Sequence, residues 1–391
     1  MSPTPRAARR SAVSRARVLA LAARTLALPT APFAEGAVIT WLVEFAAVRP
    51  HLHASVDPDG NVEIRRRGVR ASAAPLVLSA HMDHPGLRAL SCRPEGRGFR
   101  VEARFLGGVP VAAMRGARVR FLARGLEHRA RVISARRRAA GGDAHLVLRA
   151  RAAVPTGAIG AWDLPAFERD RRKPDLLRGR ACDDLAGVTA ALSLLDAIER
   201  IDPARRVDVR GLFTRAEEVG FVGALARARG GGLPRRACMV SLEASRASAH
   251  APQGAGPIVR VGDRSSVFDD GLTRWMVRVA ERLATTRRGA FRWQRRLMDG
   301  GTCEATAYQQ LGFRSAAICV ALDHYHNVTA RGRIGAESIR LSDLLGMVRL
   351  LEALVLSDEE RPTAAARDPL ALALARRAAR RRRELARTPF P

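Results

Sequence analysis

Residues 76–83 read Leu-Val-Leu-Ser-Ala-His-Met-Asp. Leu76–Ala80 is a nearly continuous apolar run, opened by Ala74-Pro75 and closed by His81. Such a run predicts a strand buried on both faces, as in a sheet covered by helices. Comparable strands are predicted at Val207–Thr214, Ala237–Glu243, Ile258–Val261 and Ser315–Ala321. Helical periodicity returns from Asp183 (Ala186, Val188, Leu192, Leu195, Ile198), and helices are expected near 219–229, 271–285, 302–311 and 337–357. This alternation predicts an α/β fold, a mixed central sheet with helices on both faces. Upstream, helices are expected at 12–28 and 34–48, separated by the break at Pro29–Pro32. Asn61–Arg67 reads as a short strand after the turn Asp57-Pro58-Asp59-Gly60.

Residues 87–175 change character. Short alternating stretches (Phe99–Phe105, Ala117–Leu122, Arg129–Ser134, His145–Ala150) are separated by glycine-rich turns, the pattern of a small all-β domain. The expected organisation is a discontinuous catalytic domain (1–86 and 176–357, with a basic N-terminal extension 1–25), an inserted β-barrel-like domain (87–175) and a basic tail (358–391).

The chain has 391 residues, 47% apolar and 27% charged, enough for two domains and incompatible with disorder throughout. No apolar stretch reaches the roughly 18–20 residues of a membrane span. Val18–Leu28 is broken by Arg24 and lacks a small-residue cleavage site, so no secretory signal is expected. Five scattered cysteines without a Cys-x-x-Cys pair argue against a disulfide framework or zinc ribbon, and a reducing cytoplasm is expected. The net charge of +29 would suggest nucleic acid, but Lys173 is the only lysine among 67 basic residues. That imbalance fits a GC-rich codon bias across ordinary solvated surface. Residues 1–25 and 376–391 are the most basic segments, yet with two tyrosines and four tryptophans in the chain neither offers stacking aromatics. Nucleic acid is therefore not an expected partner, beyond non-specific contact by the ends.

Acidic and imidazole residues cluster at or just past the predicted strand ends. They are His81 and Asp83, Asp183, Glu217-Glu218, Glu243 and His326. Ligands gather at the carboxyl ends of strands in open α/β sheets, and mixed His–carboxylate sets suit zinc, cobalt or manganese. Taken singly, His-x-Asp reads as a cap, Glu-Glu as a solvated helix start and His324 or His326 as surface. A carboxylate ending an apolar strand, as Glu243 does, needs a partner.

The order His-x-Asp, Asp-Asp, Glu-Glu-x-Gly-x-x-Gly-Ala, an acidic strand end, Gly-Gly-Thr and a late His, with Asp59-Gly60-Asn61 upstream and Glu337 downstream, resembles the co-catalytic metallopeptidases. The likeness is greatest to the tetrahedral aminopeptidases, also called glutamyl or deblocking aminopeptidases, because a β insertion separates His-x-Asp from Asp-Asp. The resemblance implies a metallo-aminopeptidase fold and two divalent ions, zinc first and cobalt or manganese as alternatives. It implies hydrolysis of short peptides from the amino end and assembly into a homo-oligomer. By position, it assigns His81, Asp183 and Glu243 to one ion and Asp183, Glu218 and His326 to the other. Asp83 would orient His81, and Glu217 would take a proton from the attacking water and pass it to the leaving amine.

Three positions depart from the family pattern. Glu243 stands where Asp is usual, and Gly301-Thr302-Cys303-Glu304-Ala305 loses or displaces an acid. Asp323-His324-Tyr325-His326 lacks the usual arginine and leaves His324 as the alternative ligand to His326. His84 is a secondary candidate for lining the pocket, and Cys182 and Cys303 read as buried small residues. The alternatives are a deacylase of N-acyl amino acids or peptides using the same metals and base, and a non-catalytic homologue. Glycoside hydrolysis has no need of the histidines.

Overall fold

The structure, a computed structural model, describes residues 11–137, 142–286, 291–361 and, apart from 371 and 375, 369–376. Helices α1 (Arg15–Thr25) and α2 (Gly36–Ala47) precede strands β1 (Leu52–Val56), β2 (Val62–Arg66) and β3 (Leu76–His81). Then come β4 (Gly86–Glu95), β5 (Gly98–Leu106), the single turn α3 (Val111–Met114), β6 (Arg118–Ala123), β7 (Leu126–Arg137), β8 (Ala144–Ala150) and β9 (Ile159–Trp162). Strands β10 (Phe167–Arg169) and β11 (Leu176–Gly179) lead into α4 (Cys182–Ile201). The rest runs β12 (Val209–Thr214), α5 (Val222–Arg229), β13 (Cys238–Arg246), β14 (Ile258–Asp263), α6 (Asp270–Thr286), β15 (Gln294–Met298), α7 (Glu304–Gln310), β16 (Arg314–Leu322), β17 (Glu337–Arg340) and α8 (Leu341–Leu356).

Among the described residues the central sheet has eight strands in the order β1-β2-β12-β3-β13-β16-β14-β15. β12, β3, β13 and β16 are mutually parallel, and antiparallel pairings bring in β2 and β14 on either side. The apolar run behaves as its composition predicts. Leu76, Leu78 and Ala80 enter the main core with α1, α2, α4, α6 and α8, while Val77 faces a second core with α5 and α7. The period of two thus places helices on both faces.

The region of short alternating stretches is a closed barrel, β4-β5-β8-β7-β6-β9. Its own core includes Phe105, Phe121, Leu146, Leu148 and Trp162. After it, β10 joins β11 and β17 in a separate three-stranded sheet. Two expected helix boundaries move. Residues 337–340 form β17, so the last helix starts at Leu341, and a 3-10 turn over Glu217–Val219 precedes α5. Ser-Ile at 338–339 favours a pairing that helical periodicity alone does not register, and Ala216 and Phe221, both at positive φ, break the chain on either side of the turn. The expectation for the basic ends falls mostly on residues 1–10 and 377–391, outside the described residues. Among the described residues no helix is long and apolar enough to cross a membrane.

Candidate active site

The parallel strands point their carboxyl ends at one cavity of about 390 Å3. His81 ends β3, Glu217 and Glu218 follow β12, Glu243 lies in β13, and His326 follows β16. Asp183 comes from the opened first turn of α4. The adjacent Asp184 accepts from Gly187 N at 3.0 Å, the contact of a helix cap. One acid of the pair therefore caps the helix and the other faces the cavity.

Among the described residues, three sets of side chains have ligand atoms within 4.8 Å of one another: His81, Asp183 and Glu243; Asp183, Glu218 and His326; and His81, Glu217 and Glu218. The first two are the sets the sequence brings forward, and they share Asp183. His81 Nε2 lies 3.4 Å from Asp183 Oδ1 and 4.0 Å from Glu217 Oε2. His326 Nε2 lies 3.2 Å from Glu218 Oε2 and 3.7 Å from Asp183 Oδ2. His324 stays outside, exposed, with its Nδ1 2.7 Å from the Ala336 carbonyl.

Main-chain carbonyls fix both rings. His81 Nδ1 donates to Asp83 O at 3.1 Å and His326 Nδ1 donates to Gly108 O at 3.1 Å. A carbonyl only accepts, so each Nδ1 carries the hydrogen and each Nε2 is left toward the carboxylates. The Asp83 carboxylate stands 3.6 Å from His81 Nδ1. Its hydrogen bonds come instead from Glu217 N at 2.9 Å and Glu218 N at 3.1 Å.

Those two bonds belong to a cradle that sequence reasoning missed. Four successive amides are held by side chains from three other segments. Asn61 accepts from Arg215 N at 3.1 Å, Glu35 from Ala216 N at 3.0 Å, and Asp83 from the next two. Glu35 is wholly buried and also accepts from Phe33 N and Arg215 Nε. The cradle holds Ala216 at φ +53°, a left-handed conformation that costs an alanine roughly 1–2 kcal/mol. Glu337 does similar work at the first turn of α4, accepting from Cys182 N at 2.8 Å and Asp183 N at 3.1 Å. His84 lies outside the cavity lining and bridges the Asp183 carbonyl to Asn327. A glutamate before a helix, as at Glu35, reads as an ordinary cap, so no sequence signal marks it.

The electrostatics follow from crowding. Burial pushes the Glu217 carboxyl well above its usual range; His81 opposes this, while Glu218, Glu243 and Asp83 add to it. Burial pushes Glu243 up to about 8, with Asp183 adding repulsion against the pull of His81 and Arg260. Burial also works against ionisation of Asp183, but His81, His326 and His84 hold it below the usual carboxylate range. Asp183 Oδ1 and Glu218 Oε1 are buried with no hydrogen-bond partner among the described residues. Several buried carboxylates, two oriented imidazoles and orphaned oxygens fit divalent metal, which would neutralise the excess charge.

The departures also have places. Glu304 is buried behind the site, accepting from Ser79 Oγ at 2.7 Å and from the Thr214 hydroxyl, one strand step below His81. Cys303 lines the cavity, and Cys182 is fully buried. Arg246, Arg260 and Arg264 line the same cavity. Arg260 is 3% exposed, donates to Ser245 Oγ at 3.1 Å, and leaves its Nε without a partner among the described residues.

Residues 154–337 match the M42 glutamyl aminopeptidase family. The match spans just under half of the chain. That match identifies the chain as a peptide-bond hydrolase. No curated protein matches it in sequence. Among solved structures, the chain resembles an aminopeptidase from the archaeon Desulfurococcus kamchatkensis, with a TM-score of 0.71 and 21% identity over 87% of this chain and 95% of the other. It also resembles the TET1 peptidase of Pyrococcus horikoshii, described as assembling into a tetrahedron or a large octahedral shell. There the TM-score is 0.69 and the identity 20%, over 86% of this chain and 99% of that one. These likenesses establish that the chain has the fold of those peptidases.

Proposed function

We propose that the protein is a two-metal aminopeptidase that releases acidic residues from the amino end of short peptides. The observation that carries this reading is the pair of ligand sets sharing Asp183, with Glu217 beside them. His81, Asp183 and Glu243 would hold one ion and Asp183, Glu218 and His326 the other; zinc fits this donor set, and cobalt or manganese is the alternative. Such ions, when bound, polarise the scissile carbonyl and acidify water.

The chain's own residues supply the rest. Glu217, buried and with a raised affinity for protons, takes one from the attacking water and hands it to the leaving amine. Asp83, Glu35 and Asn61 hold the turn that aims it. Arg260 is a buried cation lining the cavity, joined by the exposed Arg264 and Arg246, and this set favours a substrate side chain that carries a carboxylate. The name of the matched family points the same way.

We further read the barrel as an inserted domain and the protein as a homo-oligomer. The barrel exposes Leu90, Leu126 and Ile133, and the TET1 peptidase of similar fold can assemble into a tetrahedron or a large octahedral shell.

The test uses metal-stripped protein, re-supplied with zinc, cobalt or manganese, on free and N-acetylated glutamyl, aspartyl and leucyl peptides. Metal-restored release of amino-terminal glutamate, absent in Glu217→Gln, is the expected result. Turnover of acylated substrates alone would move the activity to a deacylase. Activity in Glu217→Gln equal to wild type would remove Glu217 from the chemistry.

A further inference from the structure

The two ligand sets are built from different parts of the chain. His81, Asp183 and Glu243 come from β3, α4 and β13, all within the main sheet and its central helix. The other set needs His326, and the segment carrying His326 leans on the barrel. Val328 and Ile334, which pair across the hairpin after His326, pack against the barrel's core rather than the main one. The His326 ring itself donates to the carbonyl of Gly108, in the loop between β5 and α3.

That loop is tightly held. Arg137, at the end of barrel strand β7, donates from Nη2 to Val109 O at 2.9 Å and to Gly107 O at 3.3 Å. The two carbonyls flank Gly108, so the guanidinium fixes the peptide that faces His326. Gly107 sits at φ +110°, where a side chain is strained, and a Cβ there would meet Pro85 at 2.8 Å. A Cβ on Gly108 would lie 3.2 Å from His326 Nδ1 and 3.3 Å from its Cε1, so the ring would have to shift. The carbonyl partner of a metal-ligating histidine fixes its tautomer and orientation, and losing such a partner typically weakens metal binding about 10- to 100-fold.

We propose that the barrel controls one metal position and not the other: Arg137 and Gly108 are positioning residues for His326, and through it for the ion held by Asp183, Glu218 and His326. The ion held by His81, Asp183 and Glu243 is independent of the barrel. This inference rests on the two-metal reading above.

The test measures stepwise zinc affinity of the full-length, metal-stripped protein by competition with a chromophoric chelator. It compares wild type, Arg137→Met, Gly108→Ala and, as a marker of the barrel-linked position, Glu218→Gln. Arg137→Met keeps an apolar stem but removes the donors, so it decides the matter even if Gly108→Ala fails to fold. The expected result is two ions in wild type, with the weaker-binding step of Arg137→Met reduced about 10-fold or more and the other step unchanged. Glu218→Gln should lose the same step. Equal weakening of both steps, or no change in either, would overturn the inference. Uptake of fewer than two ions by wild type would instead overturn the two-metal reading and this inference with it, so the two failures are distinguishable.

Discussion

Removing the Glu35 side chain tests whether the cradle under Glu217 is functional. In Glu35→Ala the Phe33 amide, in an exposed residue, can turn to water, but Ala216 is 1% exposed and its amide loses its partner. A buried donor left unpaired costs about 1–3 kcal/mol. The same amide bond helps hold Ala216 at positive φ, so relaxing the turn removes both penalties at once. If about 2 kcal/mol is relieved by rearranging residues 215–218, the native turn is depleted about 30-fold. Glu217 and Glu218 move with that turn. We therefore expect kcat/KM for metal-saturated Glu35→Ala to fall by up to about 30-fold. Glu35→Gln keeps an oxygen for Ala216 N and should retain most of the activity, although it loses the contact with Arg215 Nε. The assay is steady-state hydrolysis of a glutamyl peptide at saturating zinc, with folding checked by thermal melting. Activity of Glu35→Ala within a factor of three of wild type, in a folded protein, would refute the argument. Equal damage from Ala and Gln would show that charge, not amide geometry, is what Glu35 supplies.

Three other outcomes are expected. Glu217→Gln should lower kcat by about 10²- to 10⁴-fold while zinc stoichiometry, read by metal analysis, stays at the wild-type value. Arg260→Met should reduce the preference for glutamyl over leucyl substrates about 30-fold or more, since truncating one partner of a buried charge pair costs at least about 2 kcal/mol; an unchanged ratio of kcat/KM values would clear Arg260 of that role. Acid unfolding should involve Glu199, whose carboxyl the Arg66 guanidinium, 2.6 Å away, holds down at about 2 against an ordinary 4.5. Because its folded pKa is depressed, its contribution is complete above about pH 4.5 and disappears as the pH falls toward 2. In Arg66→Met the difference in melting temperature from wild type should shrink over that window, and a constant difference would count against the linkage.

The alternation of apolar runs and helical periods was enough to read the central sheet, because Leu76–His81 and Val209–Thr214 are buried along their whole lengths and the cores on either side demand apolar residues. The barrel was legible through its alternating strands and glycine turns. Strands β1 and β15 were not, since each has exposed residues and pairs only at a sheet edge. The candidate ligands were readable from motif order, and the structure brings His81, Asp183, Glu217, Glu218, Glu243 and His326 together. Of their supports, Glu337 stood in the motif order without its role, while Glu35 and Gly108 left no signal. Glu35, Glu337 and the Gly108 carbonyl act across long separations in sequence, through single hydrogen bonds to main-chain atoms. Such bonds impose no period and little composition. The fate of Glu304 was hidden for the same reason: its distance from the cavity depends on hydroxyls of Ser79 and Thr214, each from a different strand.

The split between Asp183 and Asp184 has a wider consequence. Asp184 secures the helix, Glu337 secures the peptide around Asp183, and Asp83, Glu35 and Asn61 secure the next loop, all through backbone amides. With the exception of Asp183, Glu218 and the other candidate ligands themselves, none of this bracing depends on which atoms face the cavity. The protein is in effect a jig: its clamps and its tools are separate parts. An engineer could exchange Glu243 for aspartate, or His326 for another ligand, and ask for a different cation while the frame that aligns the replacements stays in place.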